Sequence, residues 1–311
     1  MTPAIVLSNV TKRYGTVRAL DGVSFEVARG EMFGLIGPDG AGKTTAIRVM
    51  CGLLHADEGD IRLAGHHPVR EHRRATGAIG YLSQKFTLYG DLTVDENVAF
   101  FAEIHGVRSY TARRNQLLEM TQLAPFRDRL AAKLSGGMKQ KLALACTLVH
   151  EPEVILLDEP TTGVDPISRR EFWKLLSEFL SEGITVLMST PYLDEAERCS
   201  RVGLLHEGRL LALDAPTRLR NEMPGQMLEL TGAPMEGALA LARSLPGVAD
   251  AQLFGDRIHV RLTEASPDAV GRFGRALEST ALRAARVRTV PPSLEDVFIE
   301  RLSQEEKHEP E

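Results

Sequence analysis

Residues 37–45 read GPDGAGKTT and fit the spacing G-x4-G-K-[ST]. Each position in that pattern has a physical use. Gly37, Gly40 and Gly42, interleaved with Pro38, Asp39 and Ala41, let the backbone wrap closely round a string of phosphates. The N–H groups at the start of the following helix add donors and the positive end of a dipole. Lys43 brings charge to the β- and γ-phosphates, Thr44 offers a hydroxyl to Mg2+, and Thr45 closes the motif. A second stretch, VILLDEP at 154–160, puts Asp158 and Glu159 at the end of an apolar run. Asp158 suits Mg2+ binding through water, as the second acidic element of a phosphate-loop NTPase does. Glu159 suits orienting or deprotonating an attacking water. A third stretch, LSGGMKQ at 134–140, is a Ser-Gly-Gly turn before a helix and makes another anion cradle. The first loop already holds one nucleotide's phosphates, so a second cradle points to a site completed by another copy or a partner.

These residues need a sheet to hold them. Residues 32–36 form a short apolar run just before the glycine loop, and Ile47, Met50, Leu53 and Leu54 follow it at helical spacing. From residue 154 the pattern alternates: VILLD, a helix after Asp165-Pro166, TVLMS, a helix through DEAERC, then VGLLH. Such alternation implies a mostly parallel sheet covered on both faces. Residues 5–10 and 23–27 read as strands, the latter with period two. The stretch from 93 to 149 reads as mainly helical. A second region starts near Met223-Pro224-Gly225. There QMLEL reads as a strand, GALALARSL as a helix and AQLFGDRIHVRL as a hairpin turning at Gly255-Asp256. Two capped helices follow, the last opening with Ser293 and Asp296 at capping-box spacing. The expected division is a domain over 1–222, with a helical subdomain at about 85–150, and a small α/β domain over 223–311 whose charged tail is disordered from about 303.

Composition narrows the classes. Hydrophobic residues at 43% and charged residues at 25% suit a soluble globular chain. A net charge of −5 argues against a strongly basic nucleic-acid binder, so no nucleic acid is expected as partner. The three cysteines lie far apart, which fits a reducing cytosol better than a disulfide framework. No apolar run approaches the ~18 residues of a spanning helix, and MTPAIVLSNVTKRYG lacks the apolar core of a signal peptide.

With GPDGAGKTT, LSGGMKQ and VILLDEP in that order, the sequence resembles the ATP-binding subunits of ABC transporters over about residues 4–220. The resemblance implies an α/β phosphate-loop NTPase with a mixed sheet core, an antiparallel N-terminal β subdomain and a helical subdomain. It implies ATP and Mg2+ as ligands. Tyr14 in TKRYG matches the aromatic that stacks on adenine, and Gln84 in YLSQKF matches the glutamine that contacts Mg2+ and the attacking water. Asp165 in TTGVDP matches the aspartate that communicates across a dimer, and it also suits an N-cap before Pro166. By the same resemblance two such domains pack head to tail, and Ser135, Gly136 and Gly137 of one face the nucleotide held by Lys43 of the other. The insert at 84–134 resembles the subdomain that touches a membrane permease. PPSLEDVFIERL at 291–302 resembles the ending of ATPases that serve ABC-2 type exporters, including drug-efflux subunits.

One position departs from the family. The strand at 186–189 there leads to a histidine that contacts the γ-phosphate, and here Pro191 stands in its place. Proline has no donor to offer. The expected function is therefore an exporter's ATP-binding subunit, at the inner face of the membrane, paired with itself or with a different cassette and slowed in hydrolysis at its own site. The alternatives are a nucleotide-sensing switch with little turnover, or a soluble ATPase acting on ribosomes or DNA.

Overall fold

Apolar residues recurring along residues 5–27 make a long antiparallel hairpin. Ile5, Leu7 and Val10 of β1 (Ile5–Tyr14) are buried, as are Val23, Phe25 and Val27 of β2 (Val17–Val27). β4 (Glu58–Leu63) pairs with the other edge of β1, which gives a three-stranded antiparallel sheet in the order β2-β1-β4. The computed structural model describes residues 2–84, 88–232, 237–278 and 286–308.

The second sheet carries the mainly apolar, fully buried runs. β3 (Met32–Ile36), β6 (Val154–Asp158) and β7 (Thr185–Thr190) are buried along their full length, as strands inside a parallel sheet must be. With β5 (Ile79–Leu82), β8 (Arg201–His206) and β9 (Arg209–Asp214) they form the order β5-β6-β7-β3-β8-β9. All neighbours are parallel except β8 and β9, so the sheet is mixed.

α1 (Lys43–Met50) packs against β2, β4, β6 and β7 and buries Ala46, Ile47, Val49 and Met50. Phe25 of β2 stacks on Phe33 of β3 with ring centroids 5.0 Å apart, joining the two sheets in one core. Each such large apolar side chain stabilises the fold by about 1.5–3 kcal/mol.

Between the sheet strands lie α2 (His72–Ala78), α3 (Val94–Ile104), α4 (Thr111–Met120) and α5 (Gly136–Leu148). α3 starts at a capping box in which Thr93 and Glu96 each satisfy the other's backbone N–H. α5 packs on α3, α4 and β5, and also on α6 (Pro166–Ser181). A short α7 (Leu193–Ala196) follows β7. No helix among the described residues is long and apolar enough to cross a membrane.

The chain divides into two units, residues 1–216 and 217–311. The sequence suggested 222/223, because Met223-Pro224-Gly225 punctuates the chain there. α8 (Pro216–Asn221) instead falls almost wholly in the second unit.

That unit runs β10 (Gln226–Thr231), α9 (Ala238–Ser244), β11 (Val248–Phe254), β12 (Arg257–Leu262), α10 (Ala269–Glu278), β13 (Arg286–Thr289). Its sheet order, β11-β12-β10-β13, is antiparallel throughout and has the ferredoxin-like βαββαβ connectivity. Leu228, Leu230, Ile258 and Val260 share a core with Ala238, Ala242, Ala269 and Phe273.

α11 (Leu294–His308) closes the chain, and here the expectation of a disordered tail from about 303 is corrected. Ser293 and Asp296 cap the helix, and Glu, Gln and Lys, all good helix formers, carry it on to His308. Residues 309–311 lie outside the described residues.

Candidate functional site

The chemistry-bearing residues collect where parallel strands end. The glycine loop follows β3, Gln84 follows β5, Asp158 ends β6, and Ser189 and Thr190 end β7. Sheet register does the positioning. Asp158 lies beside Ser189, and Ile36 beside Thr190. Crevices at the carboxyl ends of such strands are where open α/β sheets bind ligands.

Lys43 is nearly buried, at 4% exposure, and its ammonium group is held by two carbonyls and a carboxylate. It donates to the carbonyls of Gly37 at 2.8 Å and Pro38 at 3.0 Å, and its Nζ lies 3.3 Å from Glu159 Oε1. Glu159 also accepts from Gln84 Nε2 at 3.0 Å and Thr162 Oγ1 at 3.4 Å. Its backbone N–H donates to Ser189 Oγ at 3.1 Å and to the Ser189 carbonyl at 3.2 Å. These bonds hold Glu159 at φ 48°, a left-handed conformation that costs a non-glycine residue energy. Asp158 Oδ1 accepts from Thr44 Oγ1 at 3.0 Å and from Ser189 Oγ at 2.7 Å. Thr44 and Asp158 therefore present hard oxygen donors side by side, a set that suits Mg2+.

The loop itself is shaped for an anion. A Cβ at Gly42 (φ 107°) would sit 2.3 Å from the Ala19 carbonyl, while one at Gly40 (φ 82°) would meet nothing within 4 Å. The first glycine seats the loop on β2, and the second faces open space. Asp39, Gly40, Lys43, Thr44, Thr45, Gln84 and Glu159 line a cleft of about 350 Å3, wide enough for a row of phosphates.

The remaining candidates lie elsewhere and are not among the residues lining that cleft. Tyr14 ends β1 and is 48% exposed, with Lys12 Nζ 5.8 Å from its ring centre. Ser135 caps α5 by accepting from Met138 N at 3.3 Å. Asp165 caps α6 by accepting from the N–H groups of Ile167 at 3.1 Å and Ser168 at 3.0 Å. The Ser168 side chain is the first of the hydrogen bonds that hold the Asp165 carboxyl below the usual carboxylate range.

Pro191 does not line the cleft either. The turn around it is built on a residue to which sequence reasoning gave no role. Glu195, 1% exposed, accepts from Thr190 Oγ1 at 2.7 Å and from Thr161 Oγ1, and Arg169 Nε lies 3.6 Å away. Ser189 was likewise without a role. The one available signal was a hydroxyl residue at the end of the strand next to the Asp-Glu pair.

A model described as ABC transporter matches residues 20–162. The chain is 42% identical over 306 residues to a probable multidrug ABC transporter ATP-binding protein of Escherichia coli (strain K12), covering 96% of this chain and 52% of that one. It thus spans about half the length of that relative. It is 37% identical to a daunorubicin resistance ATP-binding protein of Streptomyces coeruleorubidus, covering 95% of each. A solved ATP-binding subunit of an ABC transporter superposes with TM-score 0.65 at 31% identity, over 71% of this chain and 93% of that one. A dimeric bacterial ABC transporter cassette superposes with TM-score 0.61 at 27% identity, over 68% and 98%.

Proposed function

Because this chain belongs to the ABC transporter family of ATP-binding proteins, we propose that it is the ATP-binding subunit of an exporter, taking Mg-ATP into the cleft of Lys43 and Glu159 and hydrolysing it. The observation that carries this reading is the convergence of Lys43, Thr44, Asp158, Glu159 and Gln84 in one bonded group at the strand ends.

In this reading Lys43 exchanges Glu159 for phosphate oxygens. That exchange leaves Glu159, still oriented by its backbone bond to Ser189, to accept a proton from the attacking water. Gln84, bonded to Glu159, orients the same water. Thr44, Asp158 and Gln84 hold Mg2+, which when bound neutralises charge on the transferring phosphoryl group. Tyr14, exposed at the tip of its hairpin, stacks on adenine.

Ser135, Gly136, Gly137 and Asp165 lie outside the cleft they would serve, which supports a head-to-tail pair in which each chain completes its neighbour's site. The pair works on the inner face of the membrane against a separate permease, through the helical region between α3 and α5. Pro191 withholds one donor from the γ-phosphate, so each site of this chain turns over slowly.

Titration calorimetry tests the first step. Lys43→Ala is expected to abolish tight Mg-ATP binding, and unchanged affinity would contradict the assignment of the cleft.

A further inference from the structure

Adjacent glycines in the Ser135-Gly136-Gly137 turn answer to different demands. A Cβ at Gly136 would meet nothing within 4 Å. A Cβ at Gly137 would lie 2.2 Å from Ser168 Oγ and 2.5 Å from Ser168 Cβ. Carbon atoms in contact stand about 3.5–4.0 Å apart, and Ser168 Cβ is fixed to its backbone, so the side chain has no room to swing clear. The seam between α5 and α6 continues one turn on, where Lys141 Nζ bonds Glu171 Oε2 at 2.5 Å. Ser168 also bonds the Asp165 carboxylate.

We infer that Gly137 is a positioning residue: its missing Cβ seats the first turn of α5 directly on Ser168, and through Ser168 fixes the Ser135–Gly137 turn relative to Asp165. The inference rests on the reading above, in which these two elements complete a neighbour's site. It adds that they move as one piece. A glycine at 137 is demanded by this chain's own α6, whatever the approach of a phosphate requires.

A double-mutant cycle in the full chain, carried on a Glu159→Gln background, tests this. The readouts are the melting temperature and the Mg-ATP concentration that drives association in sedimentation velocity. Gly137→Ala is expected to lower the melting temperature by a few degrees and weaken association by about tenfold, the effect of forcing a methyl into a packed contact. Combined with Ser168→Gly it should return to the level of Ser168→Gly alone. Combined with Ser168→Ala it should not, because the Cβ at 2.5 Å remains. Gly136→Ala should leave the melting temperature unchanged.

Should Gly137→Ala fail to fold, recovery of folding with Ser168→Gly supports the same contact. A Gly137→Ala effect of equal size with serine or glycine at 168 overturns the inference. A parent chain that never associates with Mg-ATP overturns the underlying reading instead, and the melting cycle still judges the contact.

Discussion

Thr190 Oγ1 donates to Glu195 Oε2 at 2.7 Å and accepts from the Tyr192 N–H at 3.0 Å. Both hydroxyl functions of Thr190 are thereby engaged on the α7 side of the turn. Tyr192 is engaged as well, its ring under the Arg169 guanidinium at 5.1 Å. The Thr190 hydroxyl proton, spent on Glu195, is not free to take over the duty of an absent donor.

Pro191→His is therefore expected to raise the ATPase rate with little change in ATP affinity. A single preorganised donor aimed at developing charge is worth about 10²–10³ in rate, and the gain here is the part of that which a newly placed imidazole recovers. Pro191→Ala is the control, since it frees the backbone without adding a donor. Steady-state rates that are equal for proline, alanine and histidine, in a preparation whose activity depends on Glu159, would show that the turn needs no donor.

Ser189 links the two carboxylate residues, since its hydroxyl donates to Asp158 and accepts from the Glu159 backbone. Ser189→Ala leaves that buried N–H with only the more distant carbonyl and strips Asp158 of one donor. Thermal melting should report a loss of about 1.5–3 kcal/mol, the worth of a hydrogen bond to a charged group. The Mg2+ concentration needed for half-maximal ATPase activity should rise, because Asp158 is less firmly oriented. Unchanged stability together with unchanged Mg2+ dependence would remove Ser189 from the site.

The elements whose chemistry is contiguous in the chain were legible in the sequence. The loop from Gly37 to Thr45 works through its own backbone, and the runs ending at Ile36, Asp158 and Thr190 are apolar enough to demand central strands. Contacts set by strand register were not legible. Ser189 meets Asp158, and Glu195 meets Thr161, only because β6 and β7 are neighbours. β4 escaped notice because EGDIRL offers only Ile61 and Leu63 as apolar alternates. The last turns of α11 looked disordered because charge density suggests solvation, whereas a capped start and good helix formers favour continuation. The ferredoxin-like order of the second unit depends on which edges pair, and periodicity within a strand carries no such information.

The second unit carries a pH response. Asp296 hydrogen-bonds His259 Nδ1 at 2.9 Å and holds its pKa above the usual value, with the more distant Glu229 assisting and burial and Arg257 opposing. A pKa raised in the folded state gives stability that is complete below about pH 6.5 and lost as pH rises through the folded value. Asp296 moves the other way. Burial raises its pKa, but bonds from His259 and Ser293 outweigh that and lower it, so its contribution is present above about pH 4 and lost as pH falls through the folded value. Hydrogen exchange of the α11 amides in the full chain, corrected for intrinsic rates, should show protection falling as pH rises above about 6.5 through the raised His259 value. His259→Gln should abolish that fall. The same fall in the variant would assign it to another group.

The central claim is that two nucleotide clefts are completed head to tail, with Glu159 as the group that ends the closed state by hydrolysis. Sedimentation velocity of Glu159→Gln with and without Mg-ATP tests it most directly, since the substitution keeps every proposed phosphate and Mg2+ ligand and removes only the base. The predicted result is a dimer that forms with Mg-ATP, retains one ATP per site and does not form in its absence. A Glu159→Gln chain that binds Mg-ATP in the cleft yet stays monomeric, both alone and with a co-expressed cassette, would contradict the account.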